Sequence, residues 1–199
     1  LQHASDAAKR RAVRIAIINR IGRLITSRLS LDEILQTAIE TICGDLDFAD
    51  LRLLLVDSAH PEMLVLRVKR GMHSAMLPKD YWQSIHEGII GAAARARQRI
   101  LLNDVASDPR YIPARGMDDV CTELAVPVVV GDRLLGVLNV ESTRRLSEED
   151  AVDLEVVADQ LGGVVRRGLH RPLPRCVLRC RGVELCGEQA GLDVLRQEP

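Results

Sequence analysis

The residues best placed to do chemistry are three polar ones in an otherwise apolar stretch, TELAVPVVVGDRLLGVLNVES, from Thr122 to Ser142. Glu123 stands near its start, and Asn139 and Glu141 near its end. A carboxylate or amide set among Val and Leu is costly unless it is paired. Two pairings are open. The three residues can be satisfied by loop backbone amides or by arginines such as Arg95, Arg110 or Arg115, or they can receive a cationic or hydrogen-bonding small molecule. Asp104, Asp108 and Tyr111, in the polar loop upstream, are candidate lid partners. Tyr81 and Trp82 end an earlier irregular stretch, where they either close a pocket or merely pin the loop. The ligand-binding candidates are therefore Glu123, Asn139, Glu141, Tyr111, Asp104 and Trp82.

Other reactive side chains give less. Cys121 lies just ahead of Glu123, and no resolving thiol is evident. A thiol mechanism needs both an attacking thiolate and a resolver. Cys121 is read as an ordinary half-buried cysteine, with redox sensing or chromophore attachment as alternatives. His60 falls in a turn, and His73 and His86 flank the Gly71–Ser84 loop; all three are read as solvated. His170, Cys176, Cys180 and Cys186 lack the paired short knuckles of structural zinc sites, so no metal is expected. No catalytic residue is identified, and the cofactor is unknown.

The stretch that carries the acids reads as a hairpin turning at Gly131-Asp132. Its near-continuous Val and Leu fit strands covered on both faces. Two registers are possible, and a slip of one residue exchanges the faces. The register with Glu123 opposite Glu141 and Ala125 opposite Asn139 sorts the side chains cleanly. Leu124, Val126, Val128, Leu138 and Val140 then form an apolar face for helices, and Glu123, Ala125, Pro127, Asn139 and Glu141 form a pocket face. Pro127 is in tension with a strand interior, because proline donates no ladder bond.

The remaining elements follow in order. Apolar residues at helical spacing predict a first helix over roughly 6–29. It packs on its own sheet, on a second copy, or on both with different turns. Ser30 with Glu33 predicts a capping box opening a second helix. Ala49–Val56 and Met63–Arg70 read as a hairpin, Gly71–Ser84 as a loop, 88–97 as a small helix, and 99–103 as a short strand. Ser147 caps a last helix reaching about Arg167, with Glu148, Glu149 and Asp150 in its first turn. The predicted organisation is a signalling and dimerisation helix at 1–29, a domain at 30–167, and a loosely ordered tail or linker at 168–199. Ile17, Ile21, Leu24, Leu161 and Val165 are the dimerisation candidates.

Composition narrows the function. The chain of 199 residues is 47% hydrophobic but only 2% aromatic, so its core is aliphatic. A net charge of -1 and the scarcity of stacking rings argue against nucleic acid. No apolar run is long enough to span a bilayer, so no membrane contact is expected. Five cysteines, an odd number, suit a reducing cytoplasm better than a disulfide framework. The start, LQHASDAAKRR, lacks an apolar signal region and an initiator Met, which fits a piece of a longer protein.

IGRLITSRLSLDEILQTAIETI, EGIIGAAARARQRILLNDVASDPRY, the hairpin, and SEEDAVDLEVVADQLGGVV resemble, in that order, segments of the GAF domain family over roughly residues 10–167. The resemblance implies an α+β fold: an antiparallel sheet of about six strands, with N- and C-terminal helices on one face and loops and short helices over a pocket on the other. It also implies a sensory and dimerisation module, homodimeric and covalently linked to an output domain in a larger signalling protein such as a histidine kinase, diguanylate cyclase or transcription regulator, with a ligandless structural dimerisation domain as an alternative. An enzymatic branch of the family reduces free methionine sulfoxide. That branch carries a cysteine where Ile90 stands here, another near Arg115 or Gly116, and two acids where this chain has Asn139 and Glu141. On those departures the expectation is that the chain is not an enzyme.

Overall fold

A computed structural model of the protein describes residues 2–25, 29–46, 48–113 and 116–168. The predicted tail beyond residue 168, the zinc candidates within it, and Arg115 lie outside the described residues.

Six strands form one antiparallel sheet: β1 (Asp50–Val56), β2 (Met63–Gly71), β3 (Trp82–Ser84), β4 (Ile100–Leu102), β5 (Thr122–Val130) and β6 (Arg133–Ser142). Their order across the sheet is β3-β2-β1-β6-β5-β4. Helices α1 (Gln2–Ile25), α2 (Leu31–Leu46) and α4 (Glu148–Gly168) pack together over one face. The short α3 (Gly88–Ala96) and the long connections cover the other. The architecture is the expected α+β arrangement. No helix among the described residues is long and apolar enough to cross a membrane.

Local sequence explains the helix starts. Ser30 Oγ accepts the Glu33 amide at 3.3 Å, and the Ser30 amide donates to Glu33 Oε2 at 2.8 Å. Ser147 and Asp150 make the same reciprocal pair at 3.1 and 2.8 Å. Each box satisfies amides that a helix start leaves unpaired.

The hairpin uses both conceivable registers. Val130 faces Arg133 across the Gly131-Asp132 turn, where Gly131 adopts a φ of 59°. Leu135 is then an extra residue, because Val129 faces Leu134 while Val128 faces Gly136. Beyond this bulge Glu123 faces Glu141 and Ala125 faces Asn139. The bulge thus shifts the frame that brings the acids together. Pro127 sits past the end of β4, whose pairing stops at Ala125, so its missing donor is tolerated there.

A second bulge lies in β2, where Leu66 and Val68, two apart, would share a face in a regular strand. Leu53 pairs with Val68 but Leu54 with Leu66, which leaves Arg67 as the extra residue. Leu66 and Val68 therefore enter different cores rather than sharing a face. Arg67 turns toward the helices and bonds Asp32 at 2.6 Å. β3, three residues long and paired with β2, lies in what the sequence presents as loop.

The dimerisation candidates need correction as well. Ile17 is 1% exposed and Ile21, Leu161 and Val165 are 0% exposed, all within the core between helices and sheet. Side chains consumed by the chain's own core cannot form a seam with a second copy. The Leu24 side chain lies outside the described residues. On the outer surface of the same helices, Ile15 and Val152 are exposed.

Candidate functional site

β1, β6 and β5 lie side by side, and their register builds the site. Arg52 faces Asn139, and Asp50 faces Glu141. Glu123 faces Glu141 from the other side. Strand periodicity then puts Asp50, Arg52, Asn139, Glu141 and Glu123 on the surface away from the three packed helices. Leu51, Leu53 and Leu55 take the helix side.

Arg52 is the centre of this group. Its guanidinium forks onto both carboxylate oxygens of Glu141, with Nη1 to Oε1 at 3.1 Å, and Nη2 also reaches Met117 Sδ at 3.8 Å. Arg52 and Glu141 are 6% and 4% exposed. Burial alone would lower the arginine's pKa, but the charges of Glu141 and Glu123 outweigh it and the net shift is upward. Glu123, 4% exposed, forms no ion pair among the described residues. Burial, then repulsion from Glu141, pushes its pKa up to about 8, against a weaker pull from Arg52. At neutral pH the pair Arg52–Glu141 is therefore ionic, while Glu123 mostly holds its proton and can donate.

Above the acids lies a cavity walled by Arg52, Glu123 and Glu141 below and by Leu77, Tyr81, Gln83, Gly88, Ile89, Ile90 and Ile112 around them. The cavity measures about 20 Å³, room for about one water. A larger guest must lift the roof. Tyr81 donates to Gln83 Oε1 at 2.9 Å, and Gln83 Nε2 donates to the Glu87 carbonyl at 2.8 Å. Burial drives the Tyr81 hydroxyl up to about 12, so it stays a neutral donor. Gly88 adopts a φ of 66°, where a side chain is strained, and a β-carbon there would stand 2.6 Å from Gln83 Nε2 and displace it.

Among the described residues, both polar atoms of the Asn139 amide and the Tyr111 hydroxyl are buried without a hydrogen-bond partner. Asn139 is 0% exposed, beneath the acid rim between Arg52 and Ala125. Tyr111 packs on a small cluster of Val105, Met117 and Val120. Burial and then the charges of Glu141 and Glu123 raise its pKa.

The structure thus gathers Glu123, Glu141 and Asn139 on one face with Tyr111 near them. Trp82 belongs instead to the edge strand β3 and does not line the cavity; its neighbour Tyr81 does. Asp104 is exposed, with its carbonyl accepting Ser107 Oγ, and stands outside the site. Asp108 is held by Arg110 at 2.7 Å. That hydrogen bond keeps its carboxyl down at about 2. Arg95 is directed to the Ile85 carbonyl. The arginine that answers the acids is Arg52, and its signal is a positive charge set among the buried leucines of DLRLLLV. His73 is also corrected: it is buried between Asp50 and Asp119 rather than solvated. Nothing local announces that pairing. Cys121 is half-buried, with Sγ 3.6 Å from Thr122 Oγ1.

A family model described as "GAF domain" matches residues 28–166. No curated protein matches the chain. Among solved structures, the GAF domain of a phosphoenolpyruvate-protein phosphotransferase from Coxiella burnetii is 22% identical, covering 79% of this chain and 95% of that one with a TM-score of 0.69. The free methionine-R-sulfoxide reductase from Neisseria meningitidis, solved with its substrate, is 20% identical over 80% and 92%, with a TM-score of 0.68. The type II reductase of that name from Thermoplasma acidophilum is 19% identical over 69% and 96%, with a TM-score of 0.60. These likenesses establish the fold. They also overturn the expectation that the chain is not an enzyme, because enzymes and signalling domains stand on this same scaffold.

Proposed function

This chain belongs to the GAF domain family, and we propose that it is a small-molecule-binding sensory module whose pocket takes a compact organic cation. The observation that carries the reading is Glu123, a buried carboxyl facing the cavity while Arg52 is committed to Glu141. A cation placed there displaces the carboxyl proton and supplies the missing charge partner. Asn139, buried beneath the cavity, favours the ionised Glu123 that a cation needs.

The path outward is short. β6, which holds Glu141, ends at Ser142, and Ser147 caps α4 after a brief connection. Asn103, just past β4, receives the Leu146 amide at 2.8 Å and donates to the Leu146 carbonyl at 2.9 Å. Arg99 grips Glu148 and Glu155 of α4 at 2.6 and 2.7 Å. A guest that lifts the roof thus acts on the start of α4, and through α4 on α1 and a covalently linked output domain. A second copy would dock through the exposed Ile15 and Val152 surface.

The test is a thermal-shift panel of small amines, amino acids including free methionine sulfoxide, and matched carboxylates. At a hundredfold excess over Kd, a true ligand raises Tm by about 5 °C or more. The expected result is a shift from an amine-bearing compound that disappears in Glu123→Gln. Equal responses to amines and carboxylates, or a shift that survives Glu123→Gln, would contradict the reading.

A further inference from the structure

We propose that His73 is a proton-operated latch that ties two roof loops together over the acidic cavity. His73 lies in the β2–β3 connection, which also supplies the cavity residue Leu77. Asp119 lies in the β4–β5 connection, which supplies Ile112 to the cavity wall and Met117 against Arg52. The His73 ring spans the two. Nδ1 is 2.7 Å from Asp50 Oδ2 on the sheet, and Nε2 is 3.2 Å from Asp119 Oδ1 on the opposite loop. The His73 amide also donates to Asp50 Oδ1 at 2.8 Å. The purpose of the latch rests on the pocket reading; its existence does not.

Two carboxylates face the two ring nitrogens, and both nitrogens donate only in the imidazolium form. The ring contacts Asp50 from β1 and Asp119 from the roof loop, and the neighbouring positions on the same elements carry Arg52 on β1, Lys69 on β2, Glu141 opposite Asp50 on β6, and Asp118. When a ring proton passes to solvent, one contact is lost, and burial decides which. The Asp50 side chain is 3% exposed and cannot turn to water, whereas that of Asp119 is 54% exposed and can. The proton therefore stays on Nδ1, and the bond to Asp119 is released. The freed loop keeps a small apolar core, with Val105, Met117 and Val120 buried in it, and stays tethered at its ends by Asn103 to Leu146 and by the Cys121 amide to the Ser142 carbonyl. Segments with so little apolar packing open at low cost. Release at Asp119 then loosens the wall above Arg52 and Glu141.

Amide hydrogen exchange on the ligand-free chain, from about pH 5 to about pH 9 and corrected for intrinsic rates, tests the latch. The expected wild-type result is exchange in residues 103–113 and 116–121 that rises with pH about tenfold more than that of sheet peptides, which follow the global stability. Asp119→Ala, which has neither acceptor nor donor at this place, should exchange fast across the range, with the step gone. A flat wild-type profile overturns the latch. So does a step that persists in Asp119→Ala, since it would then come from another group. Nitrogen-15 spectra of the His73 ring give a check that needs no variant: deprotonation must leave the proton on Nδ1, and a neutral ring protonated on Nε2 overturns the proposal. Neither readout involves a ligand, so a failed amine panel with an intact pH step defeats the pocket reading alone, and the reverse outcome defeats the latch alone.

Discussion

At the scale of the residue, the site turns on one arginine committed to one of two buried acids. Removing Arg52 leaves Glu141 buried without its cation, so Arg52→Met should lose about 3–5 kcal/mol in urea unfolding. Replacing Glu141 by Leu in the same chain should restore most of it, because a buried pair exchanged for apolar residues is often near neutral. Glu123 makes a separate prediction about pH. Its pKa rises from an ordinary glutamate value of 4.5 to about 8 on folding, so the folded chain binds more protons between those values. Stability therefore falls as pH climbs from about 4.5 to about 8 and levels above it. Glu123→Gln should flatten that slope in urea midpoints; an unchanged slope assigns it to another group. The acids were legible in the sequence because they interrupt an apolar hairpin. Arg52 was legible in principle by the same logic applied to β1. Asp50 with His73 was not, since a strand start and a loop meet only through the sheet's register.

At the scale of the element, period and capping carried most of the fold. Ser30–Glu33, the hairpin and the apolar face of α4 were all readable, because each is a local pattern with a local cause. Bulges were not. Leu135 and Arg67 look like ordinary strand residues, and only their partners' spacing shows them as extra. β3 is three residues at an edge, too short for any period to register. Two substitutions test the packing. At Gly136 a β-carbon would sit 2.1 Å from the Leu54 carbonyl oxygen, so Gly136→Ala should force β1 and β6 apart and lose about 1–3 kcal/mol or more. Ile21→Glu should unfold the chain by circular dichroism, since Ile21 is 0% exposed. Ile15→Glu, at a position 52% exposed, should leave the fold intact. Light scattering on that variant then reports whether α1 forms a seam: loss of a dimer supports one, and an unchanged mass places the contact elsewhere.

At the scale of the whole molecule, one sheet separates two environments. Aliphatic packing beneath it fixes the helices, and above it a nearly closed cavity holds an ionic pair beside a protonated acid. The two are joined where β6 runs on toward α4 and where Asn103 and Arg99 bind the start of that helix. A guest cation must therefore alter both the charge of Glu123 and the seating of α4. The most direct measurement is calorimetric titration with the most stabilising amine of the thermal-shift panel, run near pH 7 in buffers of different ionisation enthalpy. The account predicts release of close to one proton per cation bound, and none in Glu123→Gln. Binding without proton release, or release that persists in Glu123→Gln, would contradict it.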